Sequence, residues 1–245
     1  MKSSPLTRKQ REIQERQEKI LDVSRTMLRE GGYHGLNMDR IAAELEYSKG
    51  TIYGHFSCKE EIIIALAIQT MEKRMELFRR AALFRGSSRE RMTAIGLAVE
   101  LFVLLYPDHF MVERIIRTES IWLKTSEERR TATNHFENDC FGIVGGVVRD
   151  GITRGELVLP DGMSVEDLVF GLWALSHGAY TIMTTNDQLV VQGVREPLDA
   201  TRRNYAMILD GAQWRPLSSE HDYAAVYRQI AQEIFPDECR RANRG

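Results

Sequence analysis

Apolar residues recur at intervals of three and four along almost the whole chain, and no convincing run alternates apolar with polar. That spacing builds helices with one buried stripe rather than strands. The first stripe runs Ile20, Leu21, Val23, Met27, Leu28 and should stop at Gly31-Gly32, where a left-handed backbone ends a helix. Asn37 reads as the N-cap of a short helix striped by Met38, Ile41, Ala42 and Leu45, and a second short helix covers about Lys49–His55. Ser57 with Glu60 reads as a capping box for a longer helix through Ile62, Leu66 and Met71. The same signal returns at Ser87/Glu90, Thr125/Glu128 and Ser164/Asp167, with Pro107 stopping or bending the helix before it. Helices at about Pro197–Leu209 and Tyr223–Phe235 complete the series, and Leu189-Val190-Val191 fits either strand or loop. The expected fold class is all-α, with a compact N-terminal trio, a connecting helix and a larger helical body. Residues 1–66 form one domain in this reading and 67–245 the other.

Composition narrows the function. At 43% hydrophobic and 28% charged, the 245 residues match neither a disordered nor a membrane chain. No run approaches the roughly 18 uncharged apolar residues of a spanning helix, and the charged start is not a signal peptide. Three widely spaced cysteines make no disulfide framework, so a reducing cytoplasm is the expected location. The six histidines form no local ligand pair with one another or with cysteine, and no HExxH, CxxC, GxSxG or phosphate loop is present. No metal, cofactor or enzymatic activity is therefore expected. Residues 1–60 hold 11 basic and 9 acidic side chains, a bias too small to identify a polyanionic partner by itself.

The segment Asn37–Ile62, NMDRIAAELEYSKGTIYGHFSCKEEI, carries the functional signal. Two short helices joined by a few residues, the second rich in small and polar side chains, form the pattern of a helix-turn-helix. The first helix packs through Ile41 and Leu45, and the second keeps its outer face free for the major groove, which admits one helix. Ser48, Gly50 and Thr51 are small enough to let that helix approach base edges. Lys49 reaches guanine acceptors or a phosphate, and the Thr51 methyl can touch thymine. Tyr53 and His55 offer donors to backbone phosphates, as does Lys59 at a helix N-terminus.

These residues resemble the tetracycline-repressor (TetR) family of bacterial transcription regulators. The likeness runs from about Lys19 to Leu66, through EGGYHGLNM, DRIAAEL and YSKGTIYGHFSCKEEI. It implies a double-stranded DNA operator contacted by Ser48, Lys49, Gly50 and Thr51 at the start of the recognition helix. Tyr53, His55, Lys59 and Asn37 or Met38 would hold phosphates, and Phe56 would be core. Two residues depart from the family pattern. Glu46 stands where glycine is usual in the turn, at a cost of roughly 1 kcal/mol if its backbone is left-handed, and Tyr47 replaces a smaller apolar residue. The basic residues Lys2, Arg8, Lys9, Arg11 and Arg16 could form an arm on DNA, but with Glu12, Glu15 and Glu18 among them a solvated extension is the simpler reading.

For the body, the resemblance implies a homodimer built on two helices, here Ser164–Met183 and Pro197–Leu209, with small residues Gly171, Ala174, Ser176, Gly178 and Ala179 on the first. It also implies a pocket for a hydrophobic or amphipathic small-molecule effector. Phe102, Tyr106, Phe110, Trp122 and Phe136 are candidate walls, with Phe170 and Trp173 further on. His109, His135 and His177 are candidate polar anchors, although for each of these residues a structural role in the core is the simpler reading. The helix from Lys59 to about Phe84 is the natural lever between effector and DNA. A regulator without an effector, and a redox role for Cys58 beside Lys59, remain alternatives at this stage.

Overall fold

A computed structural model describes residues 7–118, 121–185, 189 and 193–242. Among these residues every regular element is helical. Helix α1 (Arg8–Gly35) starts earlier than its apolar stripe, because Thr7 and Gln10 form a reciprocal capping box ahead of it. Residues 8–15 are exposed, so the charged extension is helix rather than a loose arm; Lys2 lies outside the described residues. Gly32, at φ 59°, breaks the helical backbone where the glycine pair was expected to stop it. Helices α2 (Met38–Glu44) and α3 (Lys49–His55) follow, then α4 (Lys59–Ala82) and α5 (Ser88–Leu105). Pro107 begins a further helix, α6 (Pro107–Thr118), occupying the first position, where a missing amide costs nothing. After a short 3-10 helix at Ile121–Lys124 come α7 (Glu127–Thr153), α8 (Val165–Thr185), α9 (Pro197–Gly211), α10 (Tyr223–Glu233) and α11 (Pro236–Ala242).

Residues up to Met71 form a compact unit with Asp108–His135, and Glu72–Pro107 forms a second with the residues from Phe136 onward. In the first, α2 packs on α1 and α3 over a core that includes Ile20, Leu28, Ile41, Ile52, Phe56 and Ile62. In the second, α5 packs against α10 and α11, and α8 against α9. Ser87 and Glu90 cap α5 reciprocally, and Ser164 and Asp167 cap α8 in the same way. Thr125 does not cap α7: its hydroxyl donates to the Ile121 carbonyl at 2.7 Å, closing the 3-10 turn. Leu189 accepts from the Val194 amide at 3.0 Å, while Val190 and Val191 fall outside the described residues.

A buried polar knot ties the second unit together. The Trp214 indole donates to Ser88 Oγ at 2.7 Å, and the Ser88 amide donates to Glu156 at the same distance. Arg89, 1% exposed, reaches the Trp214 carbonyl, Ser218 Oγ and Asp210. Gly151 permits this approach, since a Cβ there would lie 2.5 Å from Ser88 Oγ.

Candidate nucleic-acid interface

The reader of the first unit is built from caps. Asn37, extended at φ −140°, accepts from the amides of Asp39 and Arg40 at 2.9 and 3.1 Å, so its carbonyl oxygen starts α2. α2 ends in a paired closure in which Tyr47 N donates to Ala42 O at 2.9 Å and Glu46 N to Ala43 O at 3.2 Å. This Schellman arrangement requires a left-handed residue, and Glu46 supplies it at φ 55°. The strain foreseen for a non-glycine turn is therefore present. Glu46→Gly should raise stability by about 0.5–1 kcal/mol net of glycine's greater unfolded-state freedom, and Glu46→Ala should not. The denaturation midpoints of the two variants in urea test this, and equal midpoints would remove the strain account.

Ser48 then caps α3, accepting from Thr51 N at 3.1 Å and sharing a 2.8 Å hydrogen bond with the Thr51 hydroxyl. Ile52 and Phe56 point into the core, at 0% and 1% exposed, and leave the opposite side of α3 in solvent. Ser48, Lys49 and Gly50 are exposed there, Thr51 and His55 are half-buried, and Tyr53 is 50% exposed. Lys49 Nζ pairs with Asp39 Oδ2 at 2.6 Å, and that hydrogen bond and charge raise its pKa. Burial, and then the nearby charge of Arg16, push the His55 pKa down, which favours the neutral imidazole. Lys59, the first residue of α4, donates to the Tyr33 carbonyl at 3.1 Å and sits 3.9 Å from the centre of the Tyr33 ring.

Sequence reasoning gave Glu60 a capping role and passed over Glu61. Glu60 does not partner Ser57 in a capping box; it accepts from the Tyr33 hydroxyl at 2.7 Å and from Lys124 at 3.1 Å. Burial opposes its charge, but the Tyr33 hydroxyl, its own backbone amide, Lys124 and Cys58 outweigh that and bring its pKa down to about 2. Glu61 pairs with Arg129 at 2.5 Å, and the same guanidinium lies 5.1 Å from the Phe56 ring centre. Two adjacent acids at a helix start look like dipole complements in a sequence, and only the partners brought in by Tyr33 and by residues 124–129 show otherwise.

The ten pocket candidates divide between the two units. His109, Phe110, Trp122 and His135 belong to the first, where His109 Nδ1 and the Thr70 hydroxyl lie 2.9 Å apart. Phe102, Tyr106, Phe136, Phe170, Trp173 and His177 belong to the second. Phe102 packs near Tyr106, with ring centres 6.2 Å apart, and Trp173 lies between Phe170 and His177 at 5.9 and 5.8 Å. Phe102 and Phe110 are buried, while Phe170 is exposed. A cavity of about 590 Å³ does open in the second unit, but α5, α8, α9 and α10 line it with other residues, among them Tyr180, Tyr205 and Tyr227. Among the described residues no three His, Cys, Asp or Glu side chains are placed to share a metal ion, and no single helix is long and apolar enough to cross a membrane.

Two capped short helices, the second buried on one side and bare on the other, define a helix-turn-helix DNA-binding protein. Residues 20–66 match the family model described as bacterial regulatory proteins, tetR family. Residues 20–66 are thus a TetR-family helix-turn-helix domain. The chain is 24% identical over 188 residues to the fatty acid metabolism regulator protein of Bacillus subtilis, covering 71% of this chain and 93% of that one. It is 36% identical over 70 residues to the transcriptional regulator UidR of Escherichia coli, covering 29% of this chain and 36% of UidR. The fold is similar to that of FadR from Bacillus subtilis in complex with stearoyl-CoA, with a TM-score of 0.62 at 20% identity over 79% of this chain and 98% of FadR.

Proposed function

We propose that the protein is a dimeric repressor that reads a palindromic operator through α3 and is released by an amphipathic small molecule. One observation carries the DNA reading: Ser48, Lys49, Gly50 and Tyr53 face solvent on a helix whose other side is anchored by Ile52 and Phe56. In this reading Ser48, Lys49, Gly50 and Thr51 approach base edges, and Tyr53, His55, Lys59 and Asn37 engage phosphates. Residues 1–66 carry the DNA reader, and 67–245 the effector and pairing functions. A lone seven-residue reader covers one half-site, so symmetric pairing supplies the second about one helical turn away. Support for pairing comes from α8 and α9, where Gly171, Ala174 and Gly178 share a helix face with exposed Ile182, and Met207 is 69% exposed. The effector class follows the relatives: one regulates fatty acid metabolism and a structural neighbour holds stearoyl-CoA, so acyl compounds are the first to test. A ligand that prefers a different arrangement of the dimer weakens DNA binding by the factor by which DNA weakens the ligand, fivefold to a hundredfold for about 1–3 kcal/mol of coupling.

Selection of bound duplexes from random DNA tests the assignment. The expected product is a palindrome. Tyr53→Ala should weaken every sequence by a similar factor, about tenfold, and Lys49→Ala should also relax base preference. Enrichment of no sequence above background would defeat the reading.

A further inference from the structure

The cavity of about 590 Å³ in the second unit lies within the size range of small-molecule sites, and its wall has an uneven chemistry. Two of its four tyrosines have committed their hydroxyls elsewhere. Tyr223 donates to the Pro216 carbonyl at 2.7 Å and Tyr227 to Glu100 at 3.3 Å. What these two residues leave for an occupant is ring surface, continued by Ala206, Leu209 and Ala231.

The four arginines of the wall divide into two pairs. Arg89 is buried and consumed by Asp210, Ser218 and the Trp214 carbonyl. Arg202 is held by Glu100 at 2.6 and 3.0 Å and by Asp199 at 2.9 Å, with its guanidinium 4.5 Å from the Tyr227 ring centre. Arg203 and Arg228 are exposed, and among the described residues neither has an ion-pair or hydrogen-bond partner. Asp199 is the one carboxylate among the lining residues, and Arg202 already neutralises it. The wall thus keeps two unmatched positive charges beside an aromatic and aliphatic surface.

We infer that this cavity binds an amphipathic anion, its apolar body against Tyr205, Tyr227 and Leu209 and its oxyanion head between Arg203 and Arg228. Guanidinium forks match carboxylate and phosphate geometry, and charge-assisted hydrogen bonds of this kind are about twice as strong as neutral ones. An apolar cation of the same size would meet like charge at the head. The site deepens the effector reading above and rests on it for one step only, the coupling to DNA: α8 and α9, the helices proposed to pair, form two of its walls.

Calorimetric titration of the full-length protein, without DNA, tests the site with three probes that share one tail: decanoate, decyl phosphate and decanol. Both anions should bind at least about tenfold more tightly than decanol, and the tighter anion identifies the head group. Arg203→Ala combined with Arg228→Ala should bring the anions down to the level of decanol. Both arginines are exposed, so this variant should fold, which its circular dichroism checks. Ala206→Trp, which fills the cavity, should remove binding of all three. The inference is overturned if decanol binds as tightly as the anions, if the double variant binds them unchanged, or if none of the three binds. Arginine-dependent binding that leaves operator affinity untouched would support the site and sink only the effector reading.

Discussion

Phe56→Ala should lower the stability of the first unit by about 3–5 kcal/mol and abolish operator binding, although the residue faces the core. Its ring is 1% exposed, so truncation removes buried apolar contact and leaves a cavity that a short helix cannot collapse to fill. The position is also structural in the backbone: Phe56 closes α3, its amide donating to the Ile52 carbonyl at 3.0 Å. Seven residues are far too few to hold a helix in water unaided, so α3 exists only where Ile52 and Phe56 hold it. A loss of this size is a large share of the roughly 5–15 kcal/mol that keeps a domain folded. Phe56→Leu should cost much less and retain binding. Tyr53→Ala, half exposed one turn earlier, should change stability by under about 0.5 kcal/mol while still weakening DNA binding. Urea denaturation of the three variants beside operator titrations separates anchoring from contact. Phe56→Ala within about 1 kcal/mol of the parent would show that α3 has another support.

The limits of α3 were legible because every signal that sets them is local. Ser48 caps one end, Phe56 closes the other, and four-residue spacing puts Ile52 and Phe56 on one side. The Gly32 break and the boxes at Ser87/Glu90 and Ser164/Asp167 were legible for the same reason. Two similar boxes misled. Ser57/Glu60 and Thr125/Glu128 have the right spacing, but Glu60 is taken by Tyr33, 27 residues away, and by Lys124, 64 away, while Thr125 turns back to Ile121. A short-range pattern cannot reveal a stronger partner far along the chain. The extension failed in the opposite direction. Residues 8–19 carry almost no apolar stripe, yet the Thr7/Gln10 cap and the Arg8–Glu12 pair at 2.9 Å continue the helix that Ile20 anchors. The cavity of the second unit left no local signal in the sequence. Aromatic residues mark buried surface without saying which of it encloses space, and the cavity is walled by tyrosines and arginines that meet from four separate helices.

The pH dependence of stability should show Glu60 more sharply than any other single residue. Its carboxylate is almost wholly buried, so solvent screens little of what holds it. In the folded chain its pKa is about 2, against an ordinary value of 4.5. A depressed carboxylate contributes stability that is complete above the unfolded value, fades as pH falls from about 4.5 toward 2, and is gone below that. The interval is worth about 3 kcal/mol near neutral pH. Glu60→Gln can still accept from the Tyr33 hydroxyl but carries no charge. It should be less stable than the parent by about 2–3 kcal/mol at pH 7, and the two unfolding free energies should converge as pH falls through 4 toward 2. Parallel curves at all pH values would mean that the charge contributes nothing. The convergence has a functional counterpart, because the residue that binds Glu60 also seats a proposed phosphate anchor: Tyr33 offers its hydroxyl to Glu60 and its carbonyl and ring to Lys59. Loosening the acid should therefore weaken operator binding for all sequences alike, by mispositioning Lys59, and leave base preference at Lys49 intact.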